Sequence, residues 1–189
     1  MNTYAVLLRG INVGGKNKIK MADLRELMEE HGFLDVRTYI QSGNVVLRSE
    51  LNAEQISSRI EQLLIRSFAL DSSIVRVLCL SHGQLAQAVE QAPSDFGTEN
   101  ERFRYDVIFC LDQNAEEVFA DVPVRPEIDR AAQGPGVVYY RRPASTHPEA
   151  GRSWLSKLVG RPVYLTVTIR NWNTTLKLLD LLQEQAGSP

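Results

Sequence analysis

The sequence predicts an α+β protein built from one pattern used twice, with an extra helix at the end. Three observations predict it. Short apolar runs alternate with segments whose apolar residues recur every three or four positions. Glycine-bearing turns and Asn or Ser helix starts separate them. The order strand, helix, strand, strand, helix, strand can be traced once in the first half of the chain and again in the second.

Tyr4–Arg9 is almost wholly apolar, as suits a strand buried on both faces. A polar, glycine-bearing loop, Gly10–Lys20, follows. Met21, Leu24, Leu27 and Met28 then recur at helical spacing, and Gly32 stops that helix. Val36–Gln41 and Val45–Arg48 are strands around the turn Ser42-Gly43-Asn44. Asn52 and Gln55 form a capping-box pattern before a helix whose stripe is Ile56, Ile60, Leu63 and Leu64. Ile74–Leu80 is the fourth strand. Ser81 and Gln84 open a short helix through Glu90, and residues 91–104, with Pro93 and Gly97, read as a linker.

The second round starts with a strand at Tyr105–Leu111 and a helix capped by Asp112 that runs to about Ala120. Glu127–Ala132 is a weak strand, Gly134-Pro135-Gly136 a turn, and Val137–Arg142 a strand. A helix is expected from about Arg152 to Val159, a strand over Val163–Thr168, and a last helix from near Asn173 carrying Leu176, Leu179 and Leu182. This βαββαβ order is that of the ferredoxin-like unit, or α-β plait. The expected organisation is an N-terminal unit with its connecting helix over 1–91 and a C-terminal unit with the terminal helix over 92–189. The repeat is one of pattern, with no residue-level similarity between halves.

The chain has 189 residues, 43% apolar and 23% charged, with a net charge of −2. That length supports one good core or two small ones. The charge excludes a global basic field that would hold nucleic acid or an anionic membrane, so any anion site must be local. Cys79 and Cys110 lie in apolar runs and read as buried reduced thiols. No basic segment precedes a long apolar run at the N-terminus, and no apolar run approaches the ~20 residues of a membrane span. A cytoplasmic protein with no membrane association is expected.

Three segments carry residues suited to chemistry. From Arg9 to Lys20 the chain holds Arg9, Lys16, Lys18 and Lys20 and no acid. Gly14 and Gly15 let backbone N–H groups approach an anion closely. Gly10, Gly15 and Lys16 match the phosphate-loop spacing, but Asn17 stands where the magnesium-binding hydroxyl belongs. The following helix starts too late and a hairpin follows it, so a phosphate loop in a parallel sheet is rejected. A structural turn with a solvated lysine face is the competing reading.

The second segment is Arg170-Asn171-Trp172-Asn173-Thr174, at a strand end and helix start. The asparagines can cap the helix, Arg170 can hold an anion or pair with an acid, and Trp172 can fill the core or stack on a ring. The third is Tyr139-Tyr140-Arg141-Arg142, with Tyr105 and Phe109 on a neighbouring strand, the placement that plait-type RNA-binding domains use to stack bases. The glycine-aromatic consensus of those domains is absent. His31, His82 and His147 are isolated, no metal-ligand spacing occurs, and no nucleophile elbow is present. Neither a metal nor a cofactor is expected, and no catalytic residue is assigned.

The stretch YAVLLRGINVGGKNKIKMADLREL followed by YIQSGNVV closely resembles the opening of the bacterial family known as domain of unknown function 1697. Ser156-Lys157-Leu158 and Arg170-Asn171-Trp172-Asn173-Thr174 resemble its second half. The resemblance implies tandem α-β plaits and brings no substrate and no catalytic residues. Its signature positions here include Arg9, Gly10, Asn12, Gly14 to Lys18, Gln41 to Asn44, Lys157 and Arg170 to Asn173. Ile169 stands where a small residue is expected.

The expectation is a protein that binds a small anion, phosphate or nucleotide. Its site would draw on Arg9, Asn12, Gly14, Gly15, Lys16 and Lys18 of the first loop and on Ser42 and Asn44 of the hairpin turn. Arg170, Asn171, Trp172 and Asn173 would complete it. The alternatives are a structural or protein-interaction role and RNA binding.

Overall fold

In the first strand Tyr4, Val6 and Leu8 alternate with Ala5 and Leu7, and all five are buried, so both faces of this strand are covered. A computed structural model describes residues 1–71, 73–112 and 114–187. It is an α+β arrangement with two four-stranded antiparallel sheets and helices. The chain divides into two compact units: Met1–Ala86 with Lys177–Pro189, and Gln87–Leu176.

The first unit contains β1 (Asn2–Arg9), α1 (Met21–Glu30), β2 (Leu34–Tyr39), β3 (Asn44–Ser49), α2 (Ala53–Ser67) and β4 (Arg76–Ser81). Its strands lie in the order β2-β3-β1-β4. Tyr4, Val6 and Leu8 meet Leu24 and Met28 of α1 and Ile56, Ile60 and Leu64 of α2 in one core. Each such large side chain contributes about 1.5–3 kcal/mol when fully buried. Helix α1 ends as its sequence directs: Gly32 has φ +85° and donates its N–H to Glu29 O. His31 accompanies it, with Nδ1 2.8 Å from Leu27 O. The Asn52–Gln55 capping box at α2 is present in both directions. Ser81 and Gln84 exchange the same two bonds at the start of α3 (His82–Glu90).

The second unit contains β5 (Phe103–Cys110), α4 (Ala115–Asp121), β6 (Arg130–Gly134), β7 (Val137–Pro143) and β8 (Val167–Asn171), in the strand order β6-β7-β5-β8. Ile108, Cys110, Val138 and Tyr140 of its sheet form an apolar core with Val118 of α4 and Leu158. Helix α5 (Trp172–Ala186) starts in this unit and ends in the first, where Gln185 Nε2 donates to Asp35 O at 2.5 Å.

Four local expectations need correction. The strand expected over Val163–Thr168 lies instead at Val167–Asn171, because Pro162–Thr166 forms a 3-10 turn. The helix expected from Arg152 to Val159 is instead three 3-10 turns, Ala150–Arg152, Leu155–Gly160 and Pro162–Thr166. Ser153 is extended (φ −62°, ψ 143°), and Pro162 follows Gly160 within two residues, so no α-helix propagates. The cap of α4 is Asn114, whose side chain accepts from Glu117 N at 2.9 Å, and not Asp112. The weak strand lies at Arg130–Gly134 because Arg125 O accepts from Ile128 N and Asp129 N, folding 125–129 into a turn. Cys79 and Cys110 are both buried and free. Burial pushes their thiol pKa values up to about 12 and about 11.

Candidate functional site

The loop after β1 is held by two asparagines in the left-handed region, Asn12 (φ +53°) and Asn17 (φ +47°), a conformation Asn tolerates better than most residues. Asn12 Nδ2 donates to Ile19 O at 3.0 Å and to Gln41 O at 2.9 Å, while its Oδ1 accepts from Ile19 N at 2.8 Å. Asn17 Nδ2 donates to Gly10 O at 2.7 Å, and its Oδ1 accepts from Asp71 N at 2.9 Å. Between them Val13–Lys16 closes a tight turn, with Lys16 N donating to Val13 O at 3.0 Å. The asparagine side chains therefore bind the protein's own backbone.

Lys16, Lys18 and Lys20 are all exposed. The side chains of Lys18 and Lys20 make no ion pair or hydrogen bond among the described residues. Lys16 helps hold the Asp71 carboxyl below its ordinary range, after the larger effect of hydrogen bonds with Ser73. Arg9 is buried and its Nη1 donates to Ile74 O at 2.6 Å. Asn44 is fully buried; its Nδ2 donates to Tyr39 O at 3.1 Å and to Ser42 Oγ at 2.9 Å, which holds the hairpin turn.

Beside the loop lies an open cleft of about 760 Å³. Lys18, Lys20, Thr38 and Gln41 supply polar groups, and Ile19, Met21, Ile40 and Phe68 supply apolar surface. Asp23 brings one carboxylate to it. Ile40 is exposed and has φ +51°. A β-branched residue there is strained, and such strain concentrates at binding sites. Of the residues expected at the site, the cleft gathers Asn12, Gly15 and Lys18, while Gly14 and Lys16 sit on the neighbouring exposed turn. Sequence reasoning missed Ile40 and Phe68, because nothing in their spacing marks them. Lys20 had the loop's charge pattern to announce it.

The remaining expected residues belong to the second unit. Arg170 is buried, its Nη1 donating to Thr168 Oγ1 at 2.9 Å and to Ile169 O at 2.8 Å. Burial lowers its pKa to about 10, so it stays charged at neutral pH. Asn171 Oδ1 accepts from Thr174 N at 2.8 Å, capping α5. Asn171, Trp172 and Asn173 line a pocket of about 240 Å³ with Arg104, Asp106 and Arg142. Arg142 Nε donates to Asp106 Oδ2 at 2.7 Å. Strand alternation puts Arg104 and Asp106 on one face of β5, and the register then sets Arg142 opposite Arg104 on β7.

The aromatic residues considered for base stacking are covered. Tyr105, Phe109, Tyr139 and Tyr140 are all buried. The Phe96 ring packs edge-on against Tyr105, Tyr139 and Trp172, with centroids 4.9, 5.3 and 5.1 Å away. Tyr139 Oη donates to Ala88 O at 2.7 Å and Tyr140 Oη to Pro123 O at 2.8 Å. Each of Tyr105, Phe109, Tyr139 and Tyr140 is at most 4% exposed. No group of three or more His, Cys, Asp or Glu among the described residues is placed to hold a metal ion. No helix is long and apolar enough to cross a membrane, again among the described residues.

Comparison with curated proteins finds no match. Among solved structures, the conserved bacterial protein SP0830 from Streptococcus pneumoniae is similar, with a TM-score of 0.76 and 26% identity over 96% of this chain and 98% of that one. The family model described as protein of unknown function DUF1697 matches residues 1–139, a span that holds the whole first loop, its cleft and the hairpin turn beside it. On that match the chain belongs to the DUF1697 family.

Proposed function

We propose that this protein binds a nucleotide-sized anionic ligand in the cleft beside the first loop. Lys18 and Lys20 pair with its anionic groups, Lys16 adds charge from the turn, and Ile40, Met21 and Phe68 contact an apolar or ring portion. The observation that carries this reading is the strained, exposed Ile40 in the same cleft as two lysines without partners. A volume of about 760 Å³ falls within the usual range for small-molecule sites. The hydrogen bonds of Asn12 and Asn17 support it further, because a rigid loop loses little freedom on binding. The same bonds serve the structural reading of the loop, yet they leave the lysines uncommitted.

We also read each unit as a ferredoxin-like plait. The orders β2-β3-β1-β4 and β6-β7-β5-β8 support this, with 3-10 turns replacing the second helix in the later unit.

The test is thermal denaturation of wild type and of a Lys18→Ala/Lys20→Ala variant with nucleoside triphosphates, sugar phosphates and inorganic phosphate. Binding at a hundred-fold excess over Kd stabilises the fold by about 2.7 kcal/mol. The expected result is a rise in Tm with a nucleotide or sugar phosphate that the double variant loses. No rise with a nucleotide or sugar phosphate, or an equal rise with it in the variant, refutes the proposal.

A further inference from the structure

We propose that the second unit holds a separate site for one small oxyanion, of phosphate size, between Arg104 and Arg142. The strand register makes these residues direct neighbours across β5 and β7. Like charges directly opposite one another on adjacent strands repel. Asp106 neutralises one of them: its carboxylate is almost fully buried and accepts from Arg142 Nε at 2.7 Å. Arg104 is exposed, and its side chain has no hydrogen bond or ion pair among the described residues. The arginine pair thus retains one uncompensated positive charge.

The groups around that charge suit an oxyanion. Arg104 and Arg142 line a pocket with Asn100, Asn171, Asn173 and Trp172. Asn171 uses its Oδ1 as the α5 cap, which leaves its amide nitrogen as a donor with no partner among the described residues. Asn173 has no side-chain bond among the described residues. Guanidinium groups match the planar, two-point geometry of carboxylate and phosphate oxygens. The pocket volume, about 240 Å³, is below the usual range for drug-sized ligands and suits a single phosphate or short carboxylate. This site is independent of the lysine cleft and stands whether or not that cleft binds a nucleotide.

The experiment is calorimetric titration at low ionic strength with inorganic phosphate, sulfate and acetate, against a chloride control. Wild type, Arg104→Ala, Arg104→Glu and Lys18→Ala/Lys20→Ala are compared. Arg104 is exposed, so its substitution leaves the fold intact, and Arg104→Glu places an opposite charge beside Arg142. Saturable oxyanion binding is expected in wild type and in the lysine variant. Loss of one charged hydrogen-bonding group should weaken it about tenfold or more in Arg104→Ala. Arg104→Glu should abolish it while melting at or above the wild-type temperature in phosphate-free buffer. Absence of saturable binding in wild type overturns the proposal. So does an unchanged affinity in either Arg104 variant, or loss of binding in the lysine variant alone.

Discussion

Replacing Asn12 by Ala and by Gly separates what this residue does through its side chain from what it does through its backbone. The side chain makes three hydrogen bonds, to Ile19 O, to Gln41 O and from Ile19 N, at 2.8–3.0 Å. Each contributes about 0.5–1.5 kcal/mol net, so both variants should lose roughly 3 kcal/mol. The backbone sits at φ +53°, which costs Ala about 1–2 kcal/mol and Gly almost nothing. Gly returns part of that advantage, about 0.4–1 kcal/mol, through a more flexible unfolded chain. Asn12→Ala should therefore be the less stable variant by about 1 kcal/mol. At about 2–4 °C per kcal/mol, Asn12→Gly should lower Tm by roughly 6–12 °C. Urea denaturation followed by far-UV circular dichroism reads both differences. If either variant loses less than about 1 kcal/mol, the three bonds do not hold the loop, and the rigid presentation of its lysines has no basis.

Gly43→Ala should destabilise the first unit by more than about 2 kcal/mol, because φ is +74° and the added methyl would lie 2.8 Å from Leu8 Cβ; chemical denaturation measures it. Tyr139→Phe should cost about 1–3 kcal/mol by leaving Ala88 O without its buried donor, read from the shift in denaturation midpoint. The two thiols should resist a disulfide reagent at pH 8 until denaturant is added. Their folded pKa values, about 12 and about 11, exceed the ordinary 9.0, so the unfolded chain releases thiol protons first. Their contribution to stability is complete below pH 9 and should fall between about pH 9 and 12, which Cys79→Ala and Cys110→Ala should reduce in a stability profile against pH.

The parts of the fold legible in the sequence are those written in local chemistry. The Asn52–Gln55 box, Gly32 and the apolar run of β1 each act within a few residues, and each behaves as its pattern directs. The segment 150–166 has helix-compatible residues, but its course depends on Ser153 and Pro162, and on Trp154 N reaching Asp129 Oδ2 at 2.9 Å from 25 positions away. That long-range bond has no local signal. The site shows the same division. The lysine pattern was visible, whereas Ile40 enters the cleft through a backbone conformation that no propensity predicts. Arg170 looked like a ligand group because its burial depends on the sheet around it. Whether charged strand residues such as Arg104 and Arg142 face each other depends on register, which only the paired strands define.

The route of α5 bears on how the protein is made. Its last turns belong with Met1–Ala86, although all of Gln87–Leu176 lies between them in the chain. The bond from Gln185 to Asp35 joins residues 150 positions apart. Closing so long a loop costs entropy before any contact repays it and slows folding. On the ribosome, the first unit to be synthesised must wait for residues beyond 176 before it is complete. In the interim Asp35 lacks its bond from Gln185 and Arg37 its ion pair with Glu184, a period in which chaperones and aggregation compete for the nascent chain.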